Sequence, residues 1–261
     1  QPFRMWNPNH PDYQEGKSYT VAKFIPGFQG EQVMLEGAEK TALTENVTKA
    51  EMDPWVLLSH KRAAQAAKEG ILSDIQFSIA DSKKDEGIRP SMSQRLLDRL
   101  PCLLPGGSII TAANACLMHD GAAFVVLCSE AYRKKHGLTP QAAFRFGTAI
   151  GSDPFMSPKT AVLAIRKLLK QTALSIDEIH SLEVNEAFAV IDVLLEREFP
   201  GIRERLNPLG GALAYGHPYG ASGAIILLHL LKDLELNQGR FGICGVAAAG
   251  GIGTALLVEK V

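Results

Sequence analysis

Ile179-His180-Ser181-Leu182-Glu183-Val184-Asn185-Glu186-Ala187-Phe188-Ala189 carries a change of period within eleven residues. Ile179–Val184 reads as a strand. From Ala187 the apolar positions Phe188, Ile191, Leu194 and Leu195 recur at helical spacing, which predicts a helix over Ala187–Glu198. The polar pair Asn185-Glu186 stands between them, at the carboxyl end of the expected strand, where ligand sites of parallel α/β sheets lie. Asn185 is equally a residue type that caps a helix.

The alternation continues outward. Arg145–Gly151 reads as a strand and Ser157–Thr172 as a helix; beyond the opening stretch come a long helix over Pro218–Leu236 and strands over Phe241–Val246 and Thr254–Glu259. Strands alternating with helices predict an α/β domain with a largely parallel sheet, closed by an antiparallel strand. Towards the front, a helix is expected with Asp53 as N-cap, Pro54 at its first position, an Ala-rich run through Trp55–Lys68 and a stop at Gly70. Asp81–Pro90 reads as a charged turn. Thr111–Ala115 and Ala122–Leu127 read as extended segments, the second a fully buried apolar strand, and Glu130–His136 as a helix ended by Gly137. Residues 1–50, with Trp6-Asn7-Pro8-Asn9-His10-Pro11, show no sustained period and read as surface loop or an excursion domain.

With 261 residues, 46% of them hydrophobic, the chain can bury a sizeable core. Its 27 Lys+Arg balance 28 Asp+Glu, which argues against a nucleic-acid binder and a polybasic membrane-surface protein. The longest apolar stretches, such as Ala221–Leu231, fall short of the roughly 20 residues that span a bilayer, and Gln1-Pro2-Phe3-Arg4 shows no signal-peptide pattern. A cytoplasmic protein is the expectation. Cys102, Cys116, Cys128 and Cys244 form no C-x-x-C pair, so neither a disulfide scaffold nor a structural zinc is expected.

Asn207-Pro208-Leu209-Gly210-Gly211-Ala212-Leu213-Ala214-Tyr215-Gly216-His217-Pro218-Tyr219-Gly220-Ala221-Ser222-Gly223-Ala224 surrounds one imidazole with five glycines. Pro218 as a first helical residue would put His217 at or near the N-cap of the helix that follows, where the helix dipole disfavours a protonated ring. A neutral His217 is suited to act as base or hydrogen-bond donor. Gly245–Gly253 lacks the G-x-G-x-x-G spacing of a dinucleotide site, and Gly220-Ala221-Ser222-Gly223-Ala224 fails the nucleophile-elbow pattern at its last position.

Taken in order, Asn185-Glu186-Ala187-Phe188, Gly210-Gly211, Gly216-His217-Pro218, Gly220-Ala221-Ser222-Gly223 and the terminal Gly250-Gly251-Ile252-Gly253 resemble the thiolase family. Ser59-His60-Lys61-Arg62-Ala63, Asp85-Glu86-Gly87-Ile88-Arg89-Pro90 and Asp120-Gly121-Ala122-Ala123 agree, so the resemblance runs from about Thr44 onward. It implies a layered αβαβα fold. The expected division is a loop domain over 1–101, closing strands and helix of the first half over 102–138, and the C-terminal half over 139–261.

The resemblance also implies a carbon–carbon bond made or broken between acyl groups carried on coenzyme A. His217 would activate a nucleophilic cysteine and help form a first oxyanion hole, with Asn185 holding a water that completes it. The family's nucleophile falls ahead of the loop domain, and none of Cys102, Cys116 and Cys128 replaces it: no helix start or cationic neighbour is visible beside them. The acid/base cysteine falls on Ala247, while Cys244, three residues earlier on the same strand, points to the other face. The backbone N–H of Ala249 would serve the second oxyanion hole. An acyl-CoA substrate, a homodimer or homotetramer, and no metal or redox cofactor are implied. The competing reading is a thiolase-like protein that binds acyl-CoA, or supports an assembly, without catalysis; acyl transfer or slow hydrolysis without condensation is a third.

Overall fold

The computed structural model describes residues 32–79 and 84–261. The Trp6–Pro11 stretch, and residues 81–83 of the expected charged turn, lie outside them. In order come helices α1 (Val33–Thr44), α2 (Lys49–Glu69), α3 (Gln94–Leu97) and α4 (Glu130–His136), then strand β1 (Ala142–Gly151) and α5 (Thr160–Thr172). There follow β2 (Ile179–Val184), α6 (Val190–Glu198), α7 (Ala212–Tyr215), α8 (Ser222–Leu236), β3 (Phe241–Ala248) and β4 (Ile252–Lys260).

Residues 33–44, expected to be irregular, form α1. Its Gly37 interrupts the apolar period that would have marked the helix. Helix α2 starts a turn earlier than Asp53. Thr48 and Glu51 form a capping box, each side chain accepting from the other's backbone N–H, and this satisfies two orphan donors where Asp53 could satisfy one. Asp53 instead takes Lys49 Nζ at 2.7 Å and Gln94 Nε2 at 2.8 Å. Gly70 ends α2 in the left-handed conformation (φ 66°), and Gly137 ends α4 in the same way (φ 63°), both where the sequence places a stop.

The sheet has the order β1-β4-β3-β2. Only β2 and β3 run parallel; β3–β4 and β4–β1 are antiparallel, so the expected largely parallel sheet is mixed. The reason is connection length. The link from β2 to β3 is long and contains α8, which packs on both strands, whereas only residues 249–251 separate β3 from β4, and a three-residue link closes only an antiparallel hairpin. Helices α5 and α8 cover opposite faces: Ile243 packs in the cluster with Ile165 of α5, and Cys244 in the one with Leu230 of α8. Among the described residues this single sheet with its two helical layers is one half of the layered arrangement that the resemblance implies.

Thr111–Ala115, expected to be extended, instead turns at Ala112–Asn114 between isolated bridges from Thr111 to Cys102 and from Ala115 to Phe188, because the Asn114 side chain accepts from Thr111 N at 2.8 Å and closes the turn locally. Ala122–Leu127 is a correction. The segment pairs with no strand of the described residues, and Phe124 is 87% exposed, Val126 95% and Leu127 81%. An apolar run of this kind is buried only when neighbouring strands and layers are supplied to it, which periodicity does not reveal. No helix of the described residues is long and apolar enough to cross a membrane.

Candidate active site around Asn185 and His217

Asn185 follows β2 directly, and its backbone N–H donates to the Gly245 carbonyl of β3 at 3.0 Å. The expected helix start at Ala187 is displaced to Val190, with Ala189 as N-cap. Asn185 therefore caps nothing, and its side chain is free for another task. The strand end is held from the far side by Asn207, a residue in left-handed conformation (φ 46°). Its Oδ1 accepts from Val184 N at 2.7 Å and its Nδ2 donates to Val184 O at 3.1 Å, as a neighbouring strand would.

The pair Asn185-Glu186 divides its labour. Glu186 turns away from Asn185 into the interior, where Oε2 accepts from Ser59 Oγ of α2 at 2.7 Å and from Leu213 N of α7 at 3.3 Å, while Ser59 Oγ accepts from Gly211 N at 3.0 Å. One carboxylate thus ties three chain segments together. A side chain at Gly211 would collide with Glu186, which explains the glycine. Ser59 belongs to a stretch the sequence marks, but no local signal shows that it reaches across 127 residues.

His217 lies opposite Asn185, its Nε2 3.5 Å from Asn185 Nδ2. It is not the cap of the following helix. Pro218 has φ −82° and ψ 46°, outside the helical region; one 3₁₀ turn, Tyr219–Ala221, intervenes, and α8 begins only at Ser222. The expected dipole argument is replaced by two other causes. Burial alone lowers the imidazole's pKa below its ordinary value, so the ring is neutral at neutral pH. And Ser222 Oγ lies 2.6 Å from Nδ1, which fixes the ring's orientation. The backbone is anchored as well, His217 N donating to Leu117 O at 2.8 Å. Gly216 (φ 91°) permits this approach: a Cβ there would sit 2.5 Å from the His119 ring.

This arrangement can hold an oxygen or move a proton. With Nδ1–H donated to Ser222, Nε2 carries a lone pair and serves as base; with the other tautomer, Nε2–H and the Asn185 amide are two donors converging from different elements. Asn185 Oδ1 is buried with no partner among the described residues, a polar atom left over at the same place. Asn207, Ser222 and Ser59 are the contributors that sequence reasoning missed. The two serines and Asn207 all lie in quoted motifs, and only the folded chain shows what they touch.

Ala247 is the seventh residue of β3, paired with Gly253, and packs on the α5 side; Cys244 faces α8 as expected. Ala249 begins the turn between β3 and β4. Two of the described cysteines are held as poor thiolates by burial. Burial, with Glu186 adding to it, pushes the Cys116 thiol up to about 12, and burial with Glu183 raises Cys244 well above its ordinary value. Cys128 corrects the sequence view in one respect, since the Arg133 guanidinium is within electrostatic range, though Glu130 already holds it at 2.7 Å. Among the described residues no group of three or more His, Cys, Asp or Glu is arranged to hold a metal ion.

The mixed sheet with helices on both faces and the ordered motifs around it point to the thiolase family, and comparison with known proteins shows that family. The family model for the thiolase N-terminal domain matches residues 8–131 and that for the C-terminal domain residues 138–260. A steroid 3-ketoacyl-CoA thiolase of Mycobacterium tuberculosis is 34% identical over 87% of this chain and 56% of its own length. Acetyl-CoA acetyltransferase IA of Candida tropicalis is 32% identical over 96% of this chain and 67% of its own. The crystal structure of the Bacillus anthracis acetyl-CoA acetyltransferase superposes with a TM-score of 0.85 at 29% identity, covering all of this chain and 68% of that one. The chain belongs to the thiolase family. It spans 56% to 67% of the length of these relatives.

Proposed function

We propose that the chain contributes the histidine and asparagine half of an active site for acyl transfer between coenzyme A thioesters: thiolysis of a 3-ketoacyl-CoA, or the reverse condensation. The observation that carries this reading is the His217–Asn185 pair. A neutral imidazole oriented by Ser222 meets an amide donor whose Oδ1 has no partner, and such donors stabilise the negative oxygen that forms when a thioester carbonyl is attacked or enolised. The matched relatives are named for acyl-CoA substrates, which supports coenzyme A as the carrier. In this reading coenzyme A is substrate and not cofactor, the backbone N–H of Ala249 lends a donor to a second oxyanion hole, and the protein acts as a homodimer or homotetramer in the cytoplasm. The test is thiolysis of a short 3-ketoacyl-CoA by the full protein and its His217→Ala variant, with activity lost in the variant; unchanged turnover would sink the role given to His217.

A second reading, a thiolase-like protein that binds acyl-CoA without condensing it, draws on two observations. Ala247 stands where the acid/base cysteine is expected and has no group to carry a proton, and Cys244 is buried on the opposite face of β3. Tight binding of acyl-CoA with no turnover, by calorimetry and a thiol-release assay on the same preparation, would favour it.

A further inference from the structure

Tyr219 is a large aromatic residue in the left-handed region, with φ 40°. A non-glycine residue held there is strained, and such strain persists where the surroundings hold it in place. The side chain is not placed there to fill the core, for it is 59% exposed. Among the described residues its ring contact is with His217: the centroids are 5.1 Å apart and the planes tilted by 47°. Cys116 is within electrostatic range of the phenol. Tyr219 is also the residue at which the chain fails to begin the helix that Pro218 announces. Its left-handed backbone delays α8 by one turn, so that Ser222, and not Tyr219, stands at the first helical position with its hydroxyl on His217 Nδ1.

We infer that Tyr219 is a positioning residue for His217: its ring covers one face of the imidazole, excludes water from it, and with Ser222 holds Nε2 towards Asn185. The backbone strain is retained because a residue with φ in the ordinary range would carry the ring elsewhere and start the helix early. This rests on the reading of His217 as an active-site group, yet it is measurable without any turnover. Removing a cover that keeps water off an imidazole stabilises its charged form, so the His217 titration midpoint rises when the ring is lost. Glycine at the same place relieves the left-handed backbone, so thermal stability is kept or gained.

The experiment is an NMR titration of the His217 ring in the full protein with Tyr219→Gly and Tyr219→Phe. Tyr219→Gly is expected to raise the midpoint by roughly half a pH unit or more, with Tm unchanged or higher by about 1–3 °C. Tyr219→Phe, which keeps the ring, is expected to titrate as the parent does. A midpoint unmoved by Tyr219→Gly overturns the proposal whichever way the Tm moves, and a shift of equal size in Tyr219→Phe overturns the role given to the ring. Loss of turnover in His217→Ala is a separate readout, so failure here and failure of the proposed function are distinguishable.

Discussion

The Nδ1 atom of His217 lies 2.6 Å from the Oγ of Ser222, the first residue of α8. The two are five positions apart in sequence, and the delayed helix start brings them face to face. A hydroxyl on Nδ1 settles where Nε2 points, and Nε2 is the atom that faces Asn185. Ser222→Ala removes this one hydrogen bond and no bulk. It is expected to lower kcat about tenfold, the worth of a single hydrogen bond of roughly 1–1.5 kcal/mol, with KM for the acyl-CoA little changed. Steady-state thiolysis kinetics check it; an equal rise in KM with kcat intact would assign Ser222 to binding instead.

Ala247 offers a gain-of-function test. If the site lacks only a proton carrier there, Ala247→Cys is expected to raise the condensation rate of the full protein by roughly 100-fold, the lower end of what one acid/base group contributes. The assay is formation of 3-ketoacyl-CoA from acetyl-CoA, followed by absorbance of the magnesium enolate. No gain would mean that more than one group is absent and would favour the binding reading.

Asp192 on α6 is fully buried, and neither carboxylate oxygen has a partner. Burial, reinforced by Glu186, holds its pKa well above the ordinary carboxylate range. The folded chain therefore keeps a proton that the unfolded chain releases above about pH 4, so this group's contribution to stability is complete at low pH and is lost as pH rises towards the folded-state value. Asp192→Asn keeps the shape and cannot ionise. Calorimetric Tm measured at pH 4, 6 and 8 is expected to diverge in favour of the variant as pH rises; a Tm difference that stays constant across the three would remove the ionisation account.

Phe124 and Val126 are exposed side chains on a segment that pairs with no strand among the described residues. Such a segment adds to other strands. Replacing both, as Phe124→Ser with Val126→Lys, is expected to reduce binding of a hydrophobic dye and to shift size-exclusion profiles of the 261-residue chain to smaller species. Tm should stay within about 1–2 °C, because surface side chains with no packing partners contribute little to stability. A large drop in Tm would show that the segment is packed in solution.

Much of the architecture was legible in local pattern. β2 runs from Ile179 to Val184 as the sequence reads, α4 lies between Ser129 and Gly137, and Gly70 stops α2, because period, caps and left-handed glycines act over a few residues. Element starts were less legible wherever two residues competed. Thr48 outbid Asp53 for α2 by pairing with Glu51, and Pro218 failed to start α8 because its own backbone is non-helical and a 3₁₀ turn follows it. The pairing of the sheet was not readable strand by strand, since parallel or antiparallel sense depends on how far the chain travels between strands.

The sequence by itself determined the family, through ordered motifs around Asn185, His217 and Gly250-Gly251, and it singled out His217 as the candidate imidazole. Only the tertiary structure decided why that ring is neutral, which is burial and not a helix end, and which side chains hold it. Ser222, Tyr219 and Asn185 reach His217 from three directions, while Ser59 and Asn207 brace the strand end that presents Asn185. A motif fixes residue type and local order. The desolvation of an imidazole and the aim of an amide are properties of everything packed around them, and these exist only once segments more than a hundred residues apart have met.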